Sequence, residues 1–85
     1  MVTLLHELWL EPDGGQTFCL AGPMGDGARA LMSKDARLVW TVTAGSHFEA
    51  MTKYYEYMNW GSYSTEQEWD RKPYPDNWLV VQRSQ

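Results

Sequence analysis

The segment from residue 36 to residue 61 constrains the fold most, because a strand pattern runs into a helix pattern across a single Ala44-Gly45 break. Residues 36–43 are mostly β-branched and aromatic, with polar Arg37, Thr41 and Thr43 set among them, the composition of a half-buried strand. One face is expected to carry Leu38, Trp40 and Val42, with Val39 on the other beside Arg37, Thr41 and Thr43. Such a half-polar strand suits an antiparallel sheet covered on one side. After the break, Ser46-His47-Phe48-Glu49 has capping-box spacing: Ser46 accepts from the amide near Glu49, and Glu49 reaches back to the Ser46 amide. The spacing predicts a helix over residues 47–59, with Gly61 as its C-cap. Phe48, Met51, Thr52, Tyr55 and Met58 share one stripe, expected against the sheet. His47, Ala50, Tyr54, Tyr57 and Trp60 share the adjoining flank, and Glu49, Lys53 and Glu56 form a narrow charged face.

The rest of the chain is cut into short elements by glycine and proline. Residues 3–11 and 16–21, separated by Pro12-Asp13-Gly14-Gly15, read as a β-hairpin. The cluster Gly22-Pro23-Met24-Gly25-Asp26-Gly27 has neither the dinucleotide-binding nor the P-loop spacing, and a carboxylate at Asp26 would repel phosphate. It reads as a strand-to-helix turn, capped by Asp26 and leading to a helical turn over residues 28–32. Thr65 and Glu68 suggest a second capping box before a short helical turn over residues 66–70. Pro73 and Pro75 then impose extended backbone, and residues 77–83 fit either a helix capped by Asp76 or an edge strand. The expected architecture is therefore an α+β domain. A three-stranded antiparallel sheet packs on one main helix, with a short helical turn and an aromatic C-terminal strap over that helix. Core positions are expected at Phe18, Leu20, Leu38, Trp40, Val42, Phe48, Met51 and Tyr55, joined by Leu8 and Leu10.

Size and charge narrow the functional classes. A chain of 85 residues makes one domain, residues 1–85. Its formal charge of −4 and scattered cations argue against nucleic acid or an anionic membrane as partner. No apolar stretch approaches the roughly 20 residues of a membrane span. His6 and Glu7 interrupt the apolar start, which does not read as an export signal. The single cysteine, Cys19, rules out an internal disulfide and points to a reduced, cytoplasmic setting.

Few residues offer catalytic chemistry. Cys19, between Phe18 and Leu20, reads as a core thiol, and the acidic run at residues 66–70 lacks the alternation of a calcium loop. Neither a metal nor a cofactor is expected. His47, at a helix start, and Glu49 beside it are the acid–base candidates, and a local hydrogen bond is the favoured role of His47. Nothing in the sequence places His6 near His47.

Aromatic residues stand out instead. Of twelve, eight lie between Tyr54 and Trp78. The leading expectation is a non-enzymatic protein-interaction module of regulatory, adaptor or immunity type. Its docking patch would be Tyr54, Tyr57, Trp60, Tyr63, Trp69 and Tyr74. The alternative is a small-molecule binder or enzyme with a pocket between helix and strap around His47, Glu49 and Tyr57. A homodimer through an open sheet edge is also compatible with the pattern.

The stretches Gly45-Ser46-His47-Phe48-Glu49-Ala50-Met51-Thr52 and Lys72-Pro73-Tyr74-Pro75-Asp76-Asn77-Trp78 resemble small bacterial proteins of unassigned function, over roughly residues 4–80. That resemblance implies a compact bacterial domain and carries no residue roles.

Overall fold

The computed structural model describes residues 2–83, apart from the side chain of Trp69. A glycine-rich turn makes the first unit: strand β1 (Leu4–Leu10) returns as strand β2 (Gln16–Leu20) in an antiparallel hairpin. In the turn, the Gly14 amide donates to Glu11 O at 2.9 Å, and Gly14 takes φ +93°, which a side chain would strain. Strand β3 (Arg37–Ala44) pairs antiparallel with the other edge of β1, giving the order β2-β1-β3. Each strand lies within one residue of its expected ends. The fold is α+β, as the sequence pattern implied.

As the central strand, β1 supplies the core. Leu4, His6 and Leu8 alternate along it and are all buried, at 0, 3 and 1% exposure. Phe18 and Trp40 lie opposite Leu8 on its two neighbours, and Leu20 and Val42 lie opposite His6.

A bulge changes the face of one expected core residue. Leu8 pairs with Trp40 but Trp9 pairs with Leu38, so Val39 is an extra residue in β3. Side chains alternate with period two, so one inserted residue sends Leu38 to the face opposite Trp40. Leu38 is exposed, which corrects its expected core position.

Between β2 and β3, a 3-10 turn (Pro23–Gly25) runs into a four-residue helix, α1 (Asp26–Arg29), slightly earlier than the expected turn. Asp26 does not cap it; its carboxylate pairs with Arg29 at 2.6 Å. Arg29 also reaches the Glu7 carboxylate at 3.1 Å, the Leu20 carbonyl at 2.9 Å and the Gly22 carbonyl. It therefore clips the end of β2 and its turn to the outer face of the sheet.

Helix α2 (His47–Met58) begins as the capping spacing requires, with Ser46 Oγ accepting from Glu49 N at 3.1 Å. Such a cap contributes about 1 kcal/mol. The return bond goes one residue further back than expected: Glu49 Oε1 accepts from Gly45 N at 2.7 Å. The helix ends at Asn59 rather than Gly61. Asn59 takes the left-handed conformation (φ 59°), and the amides of Asn59 and Trp60 bond back to Glu56 O and Tyr55 O.

Its rotation about its own axis differs from the expectation. The flank of Ala50, Tyr54 and Tyr57 faces the sheet: Tyr54 stacks on Phe18 (centroids 4.5 Å apart) and Tyr57 on Trp40 (4.2 Å). Phe48 and Tyr55, expected against the sheet, instead meet Tyr63 at 5.6 and 5.2 Å, with Arg71 over the Phe48 ring at 4.7 Å. Apolar residues wrap more than half of this helix, so periodicity defined two usable flanks without ranking them.

The C-terminal segment does not simply lie over α2. Its 3-10 turn (Glu68–Arg71) packs against α2, and Thr65 Oγ1 accepts from Gln67 N rather than from Glu68. Residues 72–75 then cross to the sheet, tied by Tyr74 N to Gly45 O at 2.8 Å. Helix α3 (Asp76–Gln82) follows, which settles residues 77–83 as helical up to Gln82. Pro75, not Asp76, occupies its N-cap position. Gln82 docks α3 by pairing its amide with Leu5: Leu5 N donates to Oε1, and Nε2 donates to Leu5 O, both at 2.9 Å. Among the described residues, no helix is long and apolar enough to cross a membrane.

Candidate ligand pocket

Because α3 docks at the start of β1 while α2 covers the middle of the sheet, a gap is left between them. It is a pocket of about 620 Å³, inside the 300–1,000 Å³ range usual for small-molecule sites. The sheet contributes His6, Phe18 and Leu20, α2 contributes Met51 and Tyr54, and the crossing segment with α3 contributes Tyr74 and Trp78. Exposed His47 and Lys72 stand at its mouth, and Lys72 makes no ion pair among the described residues. The pocket thus brings His6 and His47 to one cavity, a meeting that nothing in the sequence indicated.

One polar pair sits in this apolar wall. His6 Nδ1 lies 3.0 Å from Leu4 O, and Nε2 lies 2.8 Å from Tyr74 Oη. A carbonyl can only accept, so Nδ1 carries the ring proton and Nε2 is left as the acceptor of the Tyr74 hydroxyl proton. Both groups are held neutral. Burial lowers the His6 pKa against the opposing carbonyls of Leu4 and Val42. Burial, reinforced by the carboxylates of Asp70 and Glu49, pushes Tyr74 up to about 12. Phe18 stacks on His6 at 5.5 Å and Trp78 on Tyr74 at 5.7 Å, fixing both rings.

These shifts affect stability in opposite pH ranges. His6 protonates more readily in the unfolded chain, so its contribution is lost as pH falls below its ordinary value of 6.5. Tyr74 behaves in reverse: the unfolded phenol ionises near 10, while the folded one keeps its proton to about 12. Unfolding therefore releases a proton in that window, and stability falls as pH rises through it, by on the order of 2 kcal/mol. Urea midpoints of wild type and Tyr74→Phe, compared at about pH 9 and pH 12, should show the smaller alkaline loss in the variant. Equal losses would exclude Tyr74 as the source.

The residues expected to form a docking patch do not share one surface. Tyr54 and Tyr74 are buried and line the same pocket, with Tyr54 Oη donating to Gln16 Oε1 at 2.6 Å. Tyr57 and Trp60 are exposed, at 48 and 53%. Tyr63 is half-buried and donates to Asp70 Oδ2 at 3.1 Å; Trp69 falls on the side chain outside the described structure. Of the catalytic candidates, Glu49 is engaged with Gly45 N and lies 3.8 Å from Lys53, while His47 reaches the pocket mouth.

Sequence reasoning missed two groups. His6 was legible only as a polar residue on the apolar face of a strand, a weak sign of a buried, hydrogen-bonded histidine. Asp70 is 4% exposed, and its Oδ1 has no hydrogen-bond partner among the described residues. It belongs to the acidic run at residues 66–70, and no local pattern marks it as buried. Burial pushes the Cys19 thiol up, which makes it a poorer nucleophile at neutral pH.

No family model, curated protein or solved structure matches the chain. The functional reading accordingly rests on the geometry of this pocket.

Proposed function

We propose that the protein binds a small, largely apolar, ring-bearing molecule in the pocket between the sheet, α2 and α3. The observation that carries this reading is the combination of size and lining: about 620 Å³ bounded by Phe18, Leu20, Met51, Tyr54 and Trp78, with the hydrogen-bonded His6–Tyr74 pair in its wall. Aromatic walls offer stacking to a flat ligand, and a wall tied by Tyr74 to Gly45 and by Gln82 to Leu5 needs little ordering on binding. The reading is of a binder rather than an enzyme, since His6 and Tyr74 are neutral and satisfy each other.

Protein interaction is the second reading, supported by the exposed rings of Tyr57, stacked on Trp40, and Trp60, which packs edge-on against Tyr54 and Tyr55. It differs from the first in the residues it would perturb. Titration of the labelled protein with indene, followed by NMR, should shift Met51 and the Trp78 indole and leave Trp60 unmoved. Met51→Trp, which fills the pocket, should abolish those shifts while the circular dichroism spectrum persists. Absence of any saturable shift at Met51 and Trp78 would sink the ligand reading.

A further inference from the structure

We propose that the pocket selects ligands presenting a hydrogen-bond donor to Tyr74 Oη, and that His6 is the positioning residue that makes this oxygen an acceptor. The inference rests on the ligand-binding reading above and deepens it from shape to chemistry.

The argument is a count of protons. The Leu4 carbonyl takes the Nδ1 proton of neutral His6, at 3.0 Å, so Nε2 carries a lone pair. Tyr74 has one hydroxyl proton, and the 2.8 Å contact commits it to Nε2. Nothing then remains on Tyr74 to donate. Its oxygen keeps acceptor capacity for a further donor. Tyr74 and His6 both line the pocket, Phe18, Leu20 and Met51 beside them are carbon-rich, the Tyr54 hydroxyl is committed to Gln16, and exposed His47 and Lys72 also line the cavity. An N–H or O–H group on a ligand would find a partner there. A carbonyl or ether oxygen placed against Tyr74 Oη would meet another acceptor, and both would be left desolvated without a bond.

The backbone enforces this polarity. The Leu4 carbonyl that sets the tautomer belongs to the central strand, where Leu4 is fully buried. Reversing the Tyr74 proton would require the His6 proton to move to Nε2, leaving the Nδ1 lone pair against the Leu4 carbonyl oxygen, two acceptors 3.0 Å apart.

Three bicyclic probes of nearly equal size separate the possibilities at neutral pH: indole, with an N–H donor; 1-indanone, with a carbonyl acceptor; and indene, with neither. Indole is expected to bind about tenfold tighter than 1-indanone, with indene no weaker than 1-indanone, as measured by NMR titration of Met51 and Trp78. In His6→Leu the Tyr74 proton is released and can point into the pocket. The affinity for 1-indanone should then rise to match or exceed that for indole, with indene unchanged. A purely structural role for His6 would weaken all three alike. Equal binding of the three probes to the wild type would overturn the selectivity and leave the pocket reading intact, whereas no binding by any of them would remove both. The wild-type comparison is decisive by itself if His6→Leu does not fold.

Discussion

Gly25→Ala is expected to destabilise the protein by about 3 kcal/mol, at the upper end for overpacking, lowering the melting temperature by more than about 10 °C. Gly25 does not need glycine for its dihedrals, since its φ is −99°. It needs glycine for room. A Cβ there would lie 1.8 Å from the Leu20 carbonyl oxygen and 3.0 Å from its carbon. Both atoms are backbone at the end of β2, so no side-chain rotation relieves the contact, and the 3-10 turn must move off the strand. That movement would also strain the Arg29 contacts to Leu20 and Gly22, and Leu20 is part of the pocket wall. Chemical denaturation of the two proteins checks this. A variant within 1 kcal/mol of wild type would mean that the turn does not pack on β2 as described.

Leu8→Ala is the second large effect, expected at about 3 kcal/mol, whereas Leu38→Ala should cost under about 1 kcal/mol. Leu8 is 1% exposed in the central strand, between Phe18 and Trp40 on the neighbouring strands, and its truncation leaves a cavity that both pairings hold open. Leu38 is 45% exposed beyond the bulge and already meets solvent. By composition and local pattern both leucines belong to apolar strand faces. Their different costs, read from denaturation midpoints, would therefore measure the bulge itself; similar costs would contradict the register between Trp9 and Leu38.

The same distinction runs through the candidate site. Ser46 and Glu49 announce the start of α2 because capping uses atoms three residues apart, and the hairpin turn is visible because Gly14 supplies a positive φ that few residues tolerate. His6, Tyr74 and Met51 lie far apart in the chain and meet only because α3 docks through Gln82 onto Leu5 while α2 crosses the sheet. The expectation of a pocket between helix and strap rested on His47, Glu49 and Tyr57, of which His47 lines the cavity and the other two do not. It did not contain the His6–Tyr74 pair, since a hydrogen bond spanning 68 positions leaves no local spacing to read. The expected six-ring surface is broken for a related reason: Tyr54 and Tyr74 bury against the stacked Phe18 and His6 rings, while Tyr57 and Trp60 stay exposed.

What the sequence determined by itself was the set of local elements and their class: three strands, one capped helix, the turns between them, and an α+β arrangement. Those follow from periodicity, capping and backbone preference, which act within a few residues. Only the tertiary structure decided which flank of α2 met the sheet, on which side of β3 Leu38 emerged, and where the terminal helix came to rest. Each of those depended on competition between surfaces of similar hydrophobicity, and packing shape resolved it. The pocket is a product of that resolution, as is the proton arrangement on Tyr74 within it.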